Sequence, residues 1–256
     1  MTALSSMYQW KNDALTNAQH FIAGMECEIE SVKALKQNLP EWESTQDGSL
    51  RNHGIEFISL PLPRDLLLNG FKNLHASLEF VKPHEAFSHR TSIHVHVNCR
   101  PFTTDQLKNF LLLYALFEDF FFSMVSPDRK HNIHCVPLSQ TYLSSRYAQK
   151  VDRLIGNWHK YTAFNMLPMK ALGTVEFRHM HGTADTVLVG QWLRTIENLW
   201  TLSQNQMITR ENIVSSDQIE RWFDLIFSDA PQILRLKPLL PSMIESTLID
   251  VKFALV

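Results

Sequence analysis

Eight ionisable residues fall at alternate positions of four short segments: Glu26, Glu28 and Glu30 in FIAGMECEIE, Glu56 in GIEFISL, His94 and His96 in TSIHVHVN, and Glu176 with Arg178 in TVEFRHM. An extended strand points alternate side chains to one face. Each segment would therefore carry its charged residues on one side and apolar residues on the other, such as Met25, Cys27 and Ile29, or Ile93, Val95 and Val97. Neighbouring carboxylates repel by on the order of 1–4 kcal/mol in a wet or partly wet site. A solvated edge strand tolerates that, and a divalent cation, which takes oxygen ligands, reverses it. Carboxylates with imidazole suit Mg²⁺ or Mn²⁺, with zinc also open. The Glu176-x-Arg178 spacing sets a bidentate oxyanion binder beside a carboxylate, an arrangement suited to phosphate.

Each feature alone has a plainer reading. A His-x-His pair is commonly solvated, a Glu-x-Arg pair is commonly a cross-strand ion pair, and Asp47 and Ser49 suit a turn. His131 and His134 read as structural loop residues, and His53, His75, His84 and His89 get no role. Four strands with the same polarity favour one shared ionic face.

Strands of this kind need a sheet with one buried side. The chain reads as α+β, with an antiparallel-dominated sheet and helices on one face, because regular β–α alternation is missing. The expected elements are a helix or arm over 1–19, strands from Phe21 to Glu30, Glu41 to Gln46 and Gly54 to Leu60 with a turn at Asp47-Gly48-Ser49, and a helix from Pro63 to Val81. Then follow a strand from Thr91 to Asn98, a helix capped at Thr103 or Thr104 and running to about Met124, and a loop over 126–141. A weaker helix spans Leu143 to Ile155 with Arg146 and Arg153. Strands at Tyr161 to Leu167 and Thr174 to Met180 precede a helix opened at Asp185. Ser215 with Gln218 starts another, and a Pro-punctuated tail ends in a short helix.

The 256 residues, 45% hydrophobic and 20% charged, suit one catalytic domain, with a core over 20–205 and a helical extension over 206–256. A net charge of −2 implies no broad attraction to nucleic acid or membrane. Neither a GxxxxGK nor a GxGxxG loop is present. The three cysteines are dispersed, which suits a reducing compartment. The start of the chain does not read as a signal peptide, and the apolar run Phe110 to Phe122 is broken by Glu118 and Asp119. The expected location is the cytoplasm, with no membrane partner.

The ordered set GMECE, DGSL, GIEFISLP, IHVHVN, YTAFNM and TVEFRHMHGTAD, from about Gly24 to Trp192, resembles the amidoligases. These are carboxylate–amine ligases of glutamine-synthetase-like catalytic fold. Where that family has a glycine shortly before its His-x-His, this chain has Ser92-Ile93. The resemblance implies ATP and Mg²⁺ or Mn²⁺ as cofactors, and a small-molecule or peptide carboxylate and an amine as substrates. It implies that Glu28 and Glu56 hold the metal nearer the acceptor, and that Glu26, His94 and Glu176 hold the metal bridging the nucleotide phosphates. His96 would contact ATP, Arg178 would neutralise the γ-phosphate, Arg146 would be a further phosphate contact, and Asp47 and Ser49 would sit at the substrate mouth. The related synthetases form rings, so an oligomer is open. The competing readings are a metal-dependent hydrolase using the same Glu/His cluster and an inactive ligase-like binding domain.

Overall fold

In the computed structural model, residues 2–10, 13–141 and 147–255 are described. Among these residues nine strands form: β1 Ile22–Ile29, β2 Val32–Leu35, β3 Trp42–Thr45, β4 Ile55–Ser59, β5 Leu62–Pro63, β6 Leu78–Phe80, β7 Ser92–Asn98, β8 Phe164–Asn165 and β9 Thr174–His181. Seven make one sheet in the order β3-β4-β1-β7-β9-β8, with β5 also pairing β1, and every pairing is antiparallel. The fold is α+β with an antiparallel sheet.

Strand alternation sorts the two faces. Met25, Cys27, Ile29, Phe57, Val95, Val97 and Phe177 are all buried. The helices Arg64–Ser77, Thr104–Ser123 and Thr186–Asn205 lie on this apolar side. Phe110 and Tyr114 pack their rings on Phe164 and Phe177, and Trp192 meets Phe177 edge-on. Burial of each such ring contributes roughly 1.5–3 kcal/mol. The long helix starts where the sequence predicts. Thr103 Oγ1 accepts from the Gln106 amide and Gln106 Oε1 accepts from the Thr103 amide, a reciprocal capping box. Asp185 caps the helix Thr186–Asn205 with its side chain alone, accepting from the amides of Val187 and Leu188. Beyond residue 206, Phe223 of the helix Ser216–Ile226 packs on Phe117 and Phe120, and Thr247 donates to the Leu116 carbonyl, so the tail covers the long helix.

Several elements differ from expectation. The helix expected to reach Val81 ends at Ser77, because Leu78–Phe80 pairs with β2 in a separate two-stranded sheet. Pairing outside the local window decides that turn, not helix propensity. The strand expected over Tyr161 to Leu167 is only Phe164–Asn165. The N-terminal segment is pinned, with Leu4 buried and its amide on the Phe102 carbonyl. Of the helix expected from Leu143 to Ile155, Val151–Gly156 is helical, while Arg146 lies outside the described residues. Among the described residues, no helix is long and apolar enough to cross a membrane.

Candidate active site

Strand register builds the polar face. Across β1 and β4, Glu28 stands opposite Glu56. Across β1 and β7, Glu26 stands opposite His94. His96 stands opposite Glu176 on β9, which in turn stands opposite Asn165 on β8. A bulge in β9 sets Arg178 and His179 together opposite His94, between the Ile93–Met180 and Val95–Phe177 pairs. The shared strand parity therefore gathers Glu26, Glu28, Glu56, His94, His96, Glu176 and Arg178.

The gathering has two ends. At one, ligand atoms of Glu26, His96 and Glu176 lie within 4.8 Å of one another. His94 is fully engaged beside them. Its Nδ1 lies 3.1 Å from Glu26 Oε2 and 3.3 Å from Glu176 Oε1, and its Nε2 lies 2.8 Å from Ser92 Oγ. Ser92 Oγ donates to Glu28 Oε2 at 2.6 Å, so Ser92 bridges His94 and Glu28 and both His94 ring nitrogens have partners. His96 differs. Its Nδ1 is 3.2 Å from Thr174 Oγ1, while its buried Nε2 lies 3.1 Å from Glu26 Oε1 without hydrogen-bonding geometry. Asn165 donates to the second oxygen of Glu176 at 2.7 Å, and Arg178 Nη1 pairs with the first. Burial alone would raise the Glu26 pKa, but the His94 and His96 imidazoles outweigh it and hold this carboxyl far below its usual range. Burial alone would lower the His96 pKa, and the Glu26 and Glu176 carboxylates reverse that to a net rise.

At the other end, Glu28, Asp47 and Glu56 bring carboxylate oxygens within 4.8 Å of one another. Asp47 reaches this cluster from the loop between β3 and β4, where its Oδ1 accepts from the Ser49 amide at 2.7 Å. Asn52 and His53 hold left-handed backbone in that loop, with φ of 50° and 58°. Glu56 is pushed up to about 7, first by burial and then by the charges of Glu26, Glu28 and Asp47. Glu30 shares strand parity with Glu26 and Glu28 but joins neither cluster. The chain turns at Ser31 (φ 59°), and the Glu30 carboxylate accepts from the Arg51 amide at 2.8 Å, tethering the loop that carries Asp47.

Both clusters fit a divalent cation. The first offers two carboxylates and an imidazole nitrogen with no hydrogen bond, and the second offers oxygens alone. Among the described residues the nitrogen that completes the first cluster belongs to His96. The expected ligand His94 has both ring nitrogens committed to Ser92 and the carboxylates.

A cavity of about 610 Å³ opens over the row, with Glu26, Glu28, Asp47, Ser49 and Glu56 on its floor and Arg178 on its wall. His131 and His134, expected as structural, also line it. The His134 carbonyl accepts from Arg178 Nε at 3.0 Å. Three residues had no role assigned from the sequence. Ser92 links His94 to Glu28, and Asn165 orients Glu176. Arg129 is 3% exposed and donates to the carbonyls of Arg178 and His179, gripping β9 at its bulge. Asn165 stands inside a segment that carries the resemblance, and Ser92 stands just before one, where the chain departs from the family pattern. Arg129, in the loop after the long helix, gave no such signal.

A family model described as "Putative amidoligase enzyme" matches residues 52–200, more than half of the chain. Glu56, His94, His96, Glu176 and Arg178 lie inside the matched residues, whereas β1 and Asp47 lie before them. No curated protein matches the chain.

Proposed function

The chain belongs to this amidoligase family, and from that premise we propose that it is an ATP-dependent carboxylate–amine ligase. The observation that carries the reading is the pair of cation-competent clusters joined through β1, with Arg178 beside the first. A carboxylate is a poor electrophile. Transfer of the ATP γ-phosphoryl group to its oxygen gives an acyl phosphate and ADP. An amine then attacks the acyl carbon, phosphate leaves, and a proton is released as the amide forms. This chemistry asks for positioning and charge neutralisation more than for a covalent nucleophile.

Glu26, His96 and Glu176 would hold one Mg²⁺ or Mn²⁺, and Glu28, Asp47 and Glu56 a second; bound there, these cations offset phosphate charge. His94 and Asn165 orient the carboxylates of the first set, as outer partners of ligands commonly do. Arg178 supplies a planar fork to the transferred phosphoryl group. Glu56, on the cavity floor, is also placed to accept the proton that the amine loses. An apolar cavity of about 220 Å³, lined by Ile22, Ile58, Pro61, Leu172 and His96, adjoins the first cluster and suits a nucleoside.

The test is ADP release in the presence of Mg²⁺, a panel of carboxylic acids, and hydroxylamine as the amine. Hydroxylamine converts an acyl phosphate to a hydroxamate that is read by colour with iron(III). The expected result is hydroxamate and ADP in equal amounts, with neither formed when the acid is omitted. Metal-dependent amide cleavage that ignores ATP would overturn the ligase reading in favour of a hydrolase.

A further inference from the structure

Two cavities meet at Glu26, and their linings differ. The smaller is mostly apolar. The larger sets a carboxylate floor against a cationic wall made by Arg90, Arg129, Lys160 and Arg178. Arg178 is matched by Glu176. The other three have no carboxylate within ion-pairing distance among the described residues. Arg90 reaches only the Ser49 carbonyl, at 3.5 Å. Lys160 lies over the Tyr161 ring, 5.0 Å from its centroid. Arg129 is buried on two backbone carbonyls. A buried guanidinium without counter-charge is costly, and an anion entering the cavity offsets that cost. With cations on the two clusters the floor no longer supplies that anion.

We infer that the acid substrate is an acidic peptide. Its reacting carboxylate goes to the floor, and its flanking carboxylates go to Arg90 and Lys160. This rests on the ligase reading above. The size agrees, since about 610 Å³ falls in the range that encloses drug-sized ligands of several residues. Charge decides the class, because a neutral peptide would leave Arg90, Arg129 and Lys160 unmatched. The ATP triphosphate is the other possible source of negative charge. The apolar cavity beside His96 and the Arg178–Glu176 pair give it a different place, leaving Arg90 and Lys160 to the acceptor.

The experiment compares two end-blocked tripeptides, one with three glutamates and one with a central glutamate flanked by glutamines. Each is supplied with Mg-ATP and hydroxylamine, to wild type, Arg90→Gln and Lys160→Gln. Hydroxamate formation gives KM for peptide and for ATP. The triglutamate should show a KM at least about tenfold lower, the equivalent of one good charge pair. Either variant should remove most of that advantage and leave the KM for ATP unchanged. Equal KM values for the two peptides would overturn the inference. So would variants that raise the KM for ATP instead, which would give the wall to the nucleotide phosphates. If neither peptide yields hydroxamate while another acid of the panel does, the inference is overturned; if no acid does, the ligase reading is what has failed. Anisotropy of the same peptides, fluorescently labelled, on Mg²⁺-loaded protein then decides the peptide site separately. Selective binding of triglutamate that Arg90→Gln weakens sustains it, and equal binding of both peptides removes it.

Discussion

The two carboxylate clusters share one strand and have opposite electrostatic characters. Glu26 and Glu176 are interleaved with His94, His96, Arg178 and Asn165, so their charge is matched before any cation arrives. Glu28, Asp47 and Glu56 have mostly one another, and Glu56 answers by holding its proton to about 7. The first cluster sits wholly on the strands β1, β7 and β9, with Glu176 buried and Glu26 and His96 half-buried. The second borrows Asp47 from a loop with strained backbone. Matched charge on rigid strands suits a site that must keep its shape through phosphoryl transfer. Unmatched carboxylates on a loop suit a site that assembles when its cation enters.

The largest effect that separates the two ends is expected at Arg178. Arg178→Ala should lower kcat for hydroxamate formation by on the order of 10²-fold or more, as loss of a donor that stabilises developing charge does. Metal affinity should change far less. Arg178→Lys should recover only part of the rate, since an ammonium lacks the planar fork. Full activity in Arg178→Ala would take the phosphoryl role away from the first cluster.

Arg129 tests whether that cluster depends on the bulge in β9. Arg129→Met removes two hydrogen bonds from a charged donor, each worth about 1.5–3 kcal/mol, and leaves the carbonyls of Arg178 and His179 buried. The expected loss is about 2–4 kcal/mol in denaturant unfolding, less than the two bonds summed because the cost of burying the guanidinium is removed too, together with a lower kcat. Unchanged stability would mean that the bulge holds without its arginine.

The sequence foreshadowed the first cluster better than the second, and the reason is physical. Strand parity has period two, so a single sequence carries the facing of Glu26, Glu28, Glu56, His94, His96, Glu176 and Arg178. Parity does not say which nitrogen of which histidine is left over. Ser92 takes up the His94 Nε2, while the His96 Nε2 is without a hydrogen bond. Nor does parity say where a strand stops, so Glu30 looked equivalent to Glu26 until Ser31 turned the chain. Asp47 read as a turn residue or part of the substrate mouth, and only the β3–β4 register carries it to Glu28 and Glu56. Glu118 read as a mere interruption of an apolar run. It is a buried anchor that accepts from Tyr114 and from the amides of Leu138 and Ser139, fixing the end of the loop that lines the cavity. Long-range pairing of this kind leaves no periodic trace.

Cation addition sharpens the comparison further. Mn²⁺ or Mg²⁺ should raise the thermal midpoint of wild type, because binding to the folded state alone stabilises it. Substitutions at the two ends should then differ in sign without metal. Glu26→Gln removes a carboxylate that two imidazoles favour and should lower the metal-free midpoint. Glu56→Gln removes a carboxylate that its neighbours disfavour and should raise it above neutral pH. Both should blunt the rise on adding metal. A metal-free midpoint that falls equally in both variants would show that the ends are alike.

The smallest expected effect is the pH dependence of that difference, and its sign follows from the Glu56 carboxyl. In the folded protein it ionises near 7, against an ordinary 4.5, so the folded state binds its proton more tightly than the unfolded chain. The resulting stability is fully present below 4.5 and is lost as pH rises through 7. Glutamine at this position does not titrate. The midpoint of Glu56→Gln minus that of wild type, without metal, should therefore sit at a baseline near about pH 4, grow across the interval up to 7, and level off above it. His75 acts the other way. Burial holds its imidazole down to about 4, so its contribution is lost as pH falls from 6.5 toward that value. It is present in both proteins and cancels in the difference. Saturating Mn²⁺ should reverse the sign above neutral pH, since wild type then gains a ligand that the variant lacks. A difference that stays flat from acid to alkaline pH would mean that Glu56 is not pressed by its neighbours, and the contrast between the two clusters would be lost with it.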